Sequence, residues 1–186
     1  MKKLLIIDKD QTLVRSRLGG ESFVQKPWDQ VPIEGMAYKL NKLYFEHGWR
    51  IVIASNQGGV EAGKKSLESA ILEMEYCLEL FSTIDFALFC PDYAGQFCYR
   101  INRDDSTIKY DDCSIDPDDE LTPLSGQYRK PNPGMLLLAK HIYQPEQCLF
   151  VGDRLDDEGA AAKADISYLH RNKFLELDVA AIDKLT

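Results

Sequence analysis

The sequence predicts an α/β fold in which an open parallel sheet carries helices on both faces. Three observations lead there. Short, unbroken apolar runs recur along the chain, as expected of strands buried on both sides. Segments with helical apolar spacing lie between them, as parallel crossovers require. Polar residues able to do chemistry stand just after several of the apolar runs, where open parallel sheets gather their functional groups.

The elements follow in order. Leu4 to Ile7 is an apolar run ending at Asp8 and reads as a buried strand. Residues 14–32 carry Gly19, Gly20, Pro27 and Pro32 and read as a loop. From about Ile33 to His47, Met36, Leu40, Leu43 and Tyr44 recur at helical spacing, and Gly48 stands where a helix stops. Arg50 to Ala54 is a second strand, and Ser55 to Gly63 a glycine-rich segment. Ser66 to Phe81 reads as a helix with Leu67, Ala70, Ile71, Met74, Cys77, Leu78 and Phe81 on one face. Phe86 to Cys90 is a third strand. Residues 91–128 show no period, and the acidic run from Asp104 to Glu120 within them reads as a solvated loop. A helix at about Gly134 to Tyr143 follows Pro131 and Pro133. Cys148 to Val151 is a fourth strand, Asp157 to Lys163 a short helix, Ile166 to Leu169 a fifth strand, and the tail from Phe174 is helical in pattern. The expectation is one domain over residues 1–186, carrying an acidic loop insertion at about 91–128.

Bulk properties narrow the function. At 186 residues the chain is long enough for a real core, and 45% hydrophobic with 28% charged residues is a globular balance. No apolar run approaches the roughly 18 residues of a membrane span, so no membrane partner is expected. The opening Met1-Lys2-Lys3 followed by Leu4 to Ile7 imitates a signal peptide but is too short in its apolar part, which makes the cytoplasm the default location. A net charge of −8 argues against a nucleic-acid partner, whose affinity rests on basic contacts to phosphates. Five cysteines, an odd number, argue against a disulfide framework.

Next come the strand ends. After the first strand stand Asp8, Lys9, Asp10, Gln11 and Thr12; after the second, Ser55 and Asn56; after the fourth, Gly152, Asp153, Arg154, Leu155, Asp156 and Asp157. Arg129 and Lys130 precede the helix that leads into the fourth strand. Carboxylates converging on one edge repel unless a cation joins them, and oxygen-only ligands suit a hard ion such as Mg²⁺, which bridges carboxylates to phosphate. Taken singly, each piece has a plain structural reading: Asp153 a helix cap, Ser55 and Asn56 turn or cap residues, Asp10 a turn former, Lys130 a surface lysine.

Four runs, in this order, resemble a known family. Ile6-Ile7-Asp8-Lys9-Asp10-Gln11-Thr12, Ile53-Ala54-Ser55-Asn56-Gln57, Arg129-Lys130-Pro131-Asn132-Pro133-Gly134-Met135 and Val151-Gly152-Asp153-Arg154-Leu155-Asp156-Asp157 resemble the four motifs of the haloacid dehalogenase (HAD) superfamily. Asn56-Gln57-Gly58-Gly59 and the Arg-Lys-Pro-x-Pro-Gly-Met string are most similar to the capless branch that includes histidinol-phosphate phosphatase and D,D-heptose 1,7-bisphosphate phosphatase. Polynucleotide 3′-phosphatases are similar at the same motifs. The resemblance implies a Rossmann-like sheet without a separate cap domain and a phosphatase working through an aspartyl phosphate. In it, Asp8 is the nucleophile and Asp10 the acid and base. Ser55 and the Asn56 backbone hold phosphate, Lys130 stabilises negative charge, and Arg129 reaches the rest of the substrate. Asp8, the Asp10 carbonyl and Asp153 bind Mg²⁺, with Asp156 or Asp157 behind them. A small phosphorylated metabolite is the expected substrate, and a 3′-phosphorylated polynucleotide end the alternative.

Two departures from that family stand out. Gln11 replaces the usual Gly, at a bend where a side chain is either tolerated or narrows the pocket. The branch often carries a structural zinc, but here Asp92 stands where a His ligand would be and Gly126-Gln127-Tyr128 where a Cys-x-Cys would be, so no structural zinc is expected. Receiver domains also phosphorylate an Asp beside Mg²⁺, but their acidic pair comes first in the chain, whereas Asp156-Asp157 comes late. A non-catalytic relative would have lost Asp8, Asp10, Lys130 or Asp153, and all four are present.

Overall fold

The structure, a computed structural model, describes residues 2–18, 24, 26–111 and 124–185. Its main sheet has seven strands: β1 (Lys3–Ile7), β4 (Trp49–Asn56), β5 (Phe86–Cys90), β6 (Cys98–Asn102), β7 (Thr107–Tyr110), β8 (Gln147–Gly152) and β9 (Ser167–His170). Their spatial order is β7-β6-β5-β4-β1-β8-β9. The five strands expected from the apolar runs are the parallel ones, with β1 between β4 and β8.

Alternation along the central strands divides the core in two. Leu5 and Ile7 of β1 and Ile51 and Ile53 of β4 face one layer, with α1 (Met36–His47), α2 (Leu67–Leu80) and the C-terminal α5 (Arg171–Glu176) and α6 (Val179–Ile182). Leu4, Ile6, Val52 and Ala54 face the other, with α3 (Gly134–Tyr143) and α4 (Leu155–Lys163). Period-two side-chain alternation in strands buried on both faces produces this split. Ser66 caps α2 by accepting from the Ser69 amide at 3.1 Å, and Gly48 ends α1 at φ 70°.

Two segments read as loops contain strands. Val14–Ser16 (β2) and Gln30–Pro32 (β3) form a small antiparallel pair beside the sheet. Within residues 91–128, β6 and β7 add two antiparallel strands to the β5 edge, so the sheet is mixed rather than wholly parallel. Edge strands bury only part of one face, and β7 exposes three of its four residues, so no apolar period marks it. Arg103 in the β6–β7 turn anchors the hairpin by donating to the Leu78 carbonyl at the end of α2 (3.0 Å) and to that of Ile84 (2.6 Å). The acidic run lies partly in this hairpin, and residues 112–123 fall outside the described part.

The turn after β1 is tight. The amides of Leu13 and Val14 both donate to the Lys9 carbonyl, at 2.9 and 3.1 Å, and the Gln11 amide donates to Val14 O at 2.8 Å. Gln11 sits at φ 63°, the left-handed conformation for which glycine is the usual residue.

Candidate active site

The strand order β4-β1-β8 brings three of the expected segments to one edge. Ile7 pairs with Ile53 on one side and Val151 on the other, so Asp8, Ser55 and Asp153 emerge side by side at the carboxyl ends. The Asp8 amide continues the ladder by donating to Val151 O at 2.9 Å. Gly152 is needed for this approach: a Cβ there would lie 2.4 Å from an Asp157 carboxylate oxygen.

Lys130 is buried at the centre. Its Nζ lies 2.7 Å from Asp8 Oδ1 and 2.6 Å from Asp157 Oδ1, and it donates to the Ala54 carbonyl at 2.7 Å. Asn56 holds the lysine in place with both ends of its amide, donating to Lys130 O at 2.9 Å and accepting from Lys130 N at 3.0 Å. Burial pushes the Asp8 carboxyl up to about 7, against the pull of Lys130 and with the help of Asp157 and Asp10. Burial also works against the Lys130 charge, but Asp8 and Asp157 outweigh it and hold the ammonium above its ordinary value.

Asp8, Asp153 and Asp157 offer carboxylate oxygens that all lie within 4.8 Å of one another. An all-oxygen set of this kind fits a hard divalent cation. Within it, Asp157 is already engaged: besides Lys130, it accepts from the Asp153 and Arg154 amides at 3.1 Å each. Asp153 is less occupied, accepting from Thr12 Oγ1 at 3.2 Å. Asp8 and Asp153 therefore offer the more open coordination positions, and Asp157 stands behind them. Asp156 is exposed on the cavity wall.

Asp10 opens onto the same cavity but its carboxylate is held from behind. Lys9 Nζ donates to Oδ1 at 2.7 Å and Gln57 Nε2 to Oδ2 at 2.9 Å. Burial disfavours the ionised Asp10; Lys9, then Lys65 and Gln57, outweigh burial and hold the carboxyl below its ordinary value. Gln57 also donates to Ser55 Oγ at 3.0 Å, which links the two loops.

A cavity of about 290 Å³ opens over Asp8, Asp10, Ser55 and Lys130, with Lys64, Lys65, Arg129, Arg154 and Tyr93 on its walls. The Arg129 guanidinium lies 4.7 Å over the Tyr93 ring, and its Nη1 is buried with no hydrogen-bond partner among the described residues. Gly58 makes room for it: a Cβ there would come within 2.8 Å of Nη1. Gln11 is not part of the cavity wall, so its side chain does not narrow the pocket. Asp92, standing where a zinc-binding His would be, organises its own turn by accepting from the amides of Gln96 (2.7 Å) and Phe97 (3.2 Å). Neighbouring Cys90 is buried, which pushes its thiol up to about 12.

Sequence reasoning missed Lys9, Gln57, Lys65 and Glu73. Of these, Glu73 left a signal: it lies three residues after Ala70 and four before Cys77, on the apolar face of α2.

The sequence pattern of the family described as "Polynucleotide kinase 3 phosphatase" matches residues 3–177. The chain belongs to this family. It is a phosphatase of the HAD type, as the four motifs imply. A search of curated proteins found no match. Solved structures share the fold over nearly the whole chain. D,D-heptose 1,7-bisphosphate phosphatase from B. bronchiseptica, complexed with magnesium and phosphate, is 22% identical with a TM-score of 0.63, covering 98% of this chain and 96% of its own. A putative HAD-like phosphatase from Mesorhizobium loti is 22% identical with a TM-score of 0.67, covering 99% and 87%. D,D-heptose 1,7-bisphosphate phosphatase from Burkholderia thailandensis is 16% identical with a TM-score of 0.53, covering 100% and 99%. No helix among the described residues is long and apolar enough to cross a membrane.

Proposed function

We propose that this phosphatase is a Mg²⁺-dependent phosphomonoester hydrolase acting on a small phosphorylated metabolite, a sugar or amino-alcohol phosphate. The observation that carries this reading is the placement of Asp8 against Lys130 at 2.7 Å, within an acidic triad and at the floor of a small cavity. An Asp8 oxygen attacks phosphorus as the bond to the leaving oxygen breaks, and Asp10, which must first take up a proton from solvent against the pull of Lys9 and Lys65, gives that oxygen the proton. Water, deprotonated by Asp10, then attacks phosphorus; the bond to Asp8 breaks and phosphate leaves. Ser55 and the Asn56 backbone hold phosphoryl oxygens, and Lys130 offsets the negative charge that builds on them. A Mg²⁺ ion held by Asp8, Asp153 and the Asp10 carbonyl would neutralise further charge on the phosphoryl oxygens. No structural zinc belongs to this reading, since Asp92 and the Gly126 to Tyr128 stretch offer neither the His nor the Cys pair.

Two observations support a small substrate. The cavity, about 290 Å³, is at the low end for small-molecule sites. The chain carries a net charge of −8, which gives a polyanion little long-range attraction. The alternative, a polynucleotide 3′-phosphatase, is favoured by the family match and by the basic side chains of Lys64, Lys65, Arg129 and Arg154 on the cavity wall.

One experiment separates the two. Specificity constants are compared for a panel of sugar and amino-alcohol phosphates and a 3′-phosphorylated oligonucleotide, with Mg²⁺ or after EDTA, across salt concentrations. The expected result is Mg²⁺-dependent turnover that favours a small ester. An oligonucleotide preferred by about tenfold or more, with affinity falling steeply as salt rises, establishes the alternative. Full activity after EDTA removes the metal from either reading. Elemental analysis of the same preparation is expected to find no stoichiometric zinc; about one zinc per chain overturns that part.

A further inference from the structure

Behind the proposed acid and base lies a closed ring of five side chains. Lys9 Nζ is 2.7 Å from Asp10 Oδ1 and 3.7 Å from Glu73 Oε2. Both Glu73 oxygens accept from Lys65 Nζ at 2.7 Å. Lys65 Nζ also donates to Gln57 Oε1 at 3.2 Å, and Gln57 Nε2 returns to Asp10 Oδ2 at 2.9 Å. Lys9 and Glu73 are both 0% exposed. Placing two full charges in a core is costly unless each is paired and hydrogen-bonded, and ordinary packing at these positions needs neither. The ring is also anchored outside itself: the main chain of Glu73, on α2, accepts from Gln30 Nε2 at 2.9 Å.

We infer that Glu73 is a positioning residue for the acid and base: through Lys9 on one side and Lys65 and Gln57 on the other, it fixes both oxygens of the Asp10 carboxyl and so aims it into the cavity. The inference rests on Asp10 having the role proposed above. Glu73 itself is fully buried and is not part of the cavity wall, so any effect it has on turnover passes through the ring. Proton transfer needs heavy atoms within hydrogen-bond reach, and a carboxyl free to rotate loses that alignment for part of the time. The loss falls on substrates whose leaving oxygen depends on receiving a proton. An alkoxide leaving group depends on it strongly, a nitrophenolate hardly at all.

The test is the leaving-group dependence of kcat/KM over a series from p-nitrophenyl phosphate to simple alkyl phosphates, for the wild type, Asp10→Asn and Glu73→Gln. For Glu73→Gln, kcat/KM is expected to fall about tenfold or more on alkyl phosphates and to stay within about threefold on p-nitrophenyl phosphate. Thermal melting shows whether the variant is folded. Should Glu73→Gln not fold, the double variant Lys9→Met/Glu73→Met, which removes one buried charge of each sign, is measured instead, and the same steepened dependence is expected. A folded variant whose rates fall equally on all leaving groups, or do not fall, overturns the positioning role. If Asp10→Asn itself shows no steepened dependence, the acid and base assignment fails first and the inference fails with it; a steep Asp10→Asn beside a flat Glu73→Gln condemns only the inference.

Discussion

Asp8 and Lys130 illustrate how buried charges can be set up for chemistry. An isolated carboxylate at this depth would stay protonated near neutrality, and burial alone pushes Asp8 that way. Lys130, held by the Asn56 amide, supplies the opposing charge. Asp8→Asn keeps the shape and removes the attacking oxygen's charge. It is expected to abolish turnover by several orders of magnitude while circular dichroism and melting show an intact fold; activity within about tenfold of wild type sinks the nucleophile assignment. Asp8, Asp10, Ser55 and Asp153 drew attention by their places after apolar runs, whereas Lys130, and the roles proposed for all five, came with the family resemblance. Lys9 could not be read that way. It stands between two aspartates at a strand end, where a lysine usually points to solvent, and its partner Glu73 is 64 positions further along the chain.

Among the elements, the turn after β1 departs most from its expected sequence. Its hydrogen bonds to Lys9 O force Gln11 to φ 63°, a conformation that disfavours side chains with a Cβ. Gln11→Gly removes that conflict, at the cost of a more flexible unfolded chain. The net expectation is a gain of about 0.5–1 kcal/mol in chemical denaturation, with unchanged kcat/KM because residue 11 is off the cavity wall. No gain would mean that Gln11 side-chain contacts compensate. The β2–β3 pair and the β6–β7 hairpin escaped the sequence reading for a common reason. Both are short; β2 and β3 pair outside the main sheet, β7 is an exposed edge, and β6 buries only Cys98 towards one layer and Ile101 towards the other, so no continuous apolar run marks them.

Across the whole molecule, Asp183 ties the C-terminal segment to the first strand and to the α1–β4 junction. Asp183 accepts from Lys3 Nζ at 2.7 Å and from Trp49 Nε1 at 2.9 Å, and His47 Nδ1 lies 3.4 Å away. The Lys3 hydrogen bond, with those of Trp49 and His47, holds the Asp183 carboxyl below its usual range despite some burial. A carboxyl depressed in the folded state stabilises the protein above its unfolded value, near 3.9, and loses that contribution as pH falls through the lower folded value. Asp183→Asn is therefore expected to lower stability by roughly 1 kcal/mol at pH 7, with the gap to wild type closing below about pH 4. Melting temperatures measured from pH 3 to 8 check this; a gap that stays constant with pH rules out the ionic origin.

The sequence by itself determined the parallel core of the sheet, the helices on its two faces and the edge at which the chemistry-bearing residues gather. It could do so because side-chain alternation and helical spacing are local, and because strand ends in a parallel sheet point one way. The tertiary structure alone decided what stands behind those residues. It divides three acidic side chains between open coordination and a buried partner for Lys130, turns Asp92 into the centre of its own turn, and closes a ring from Asp10 through Glu73. Each of these depends on pairing charges far apart in the chain inside a medium that tolerates no unpaired one, and no local pattern records which distant charge will be the partner.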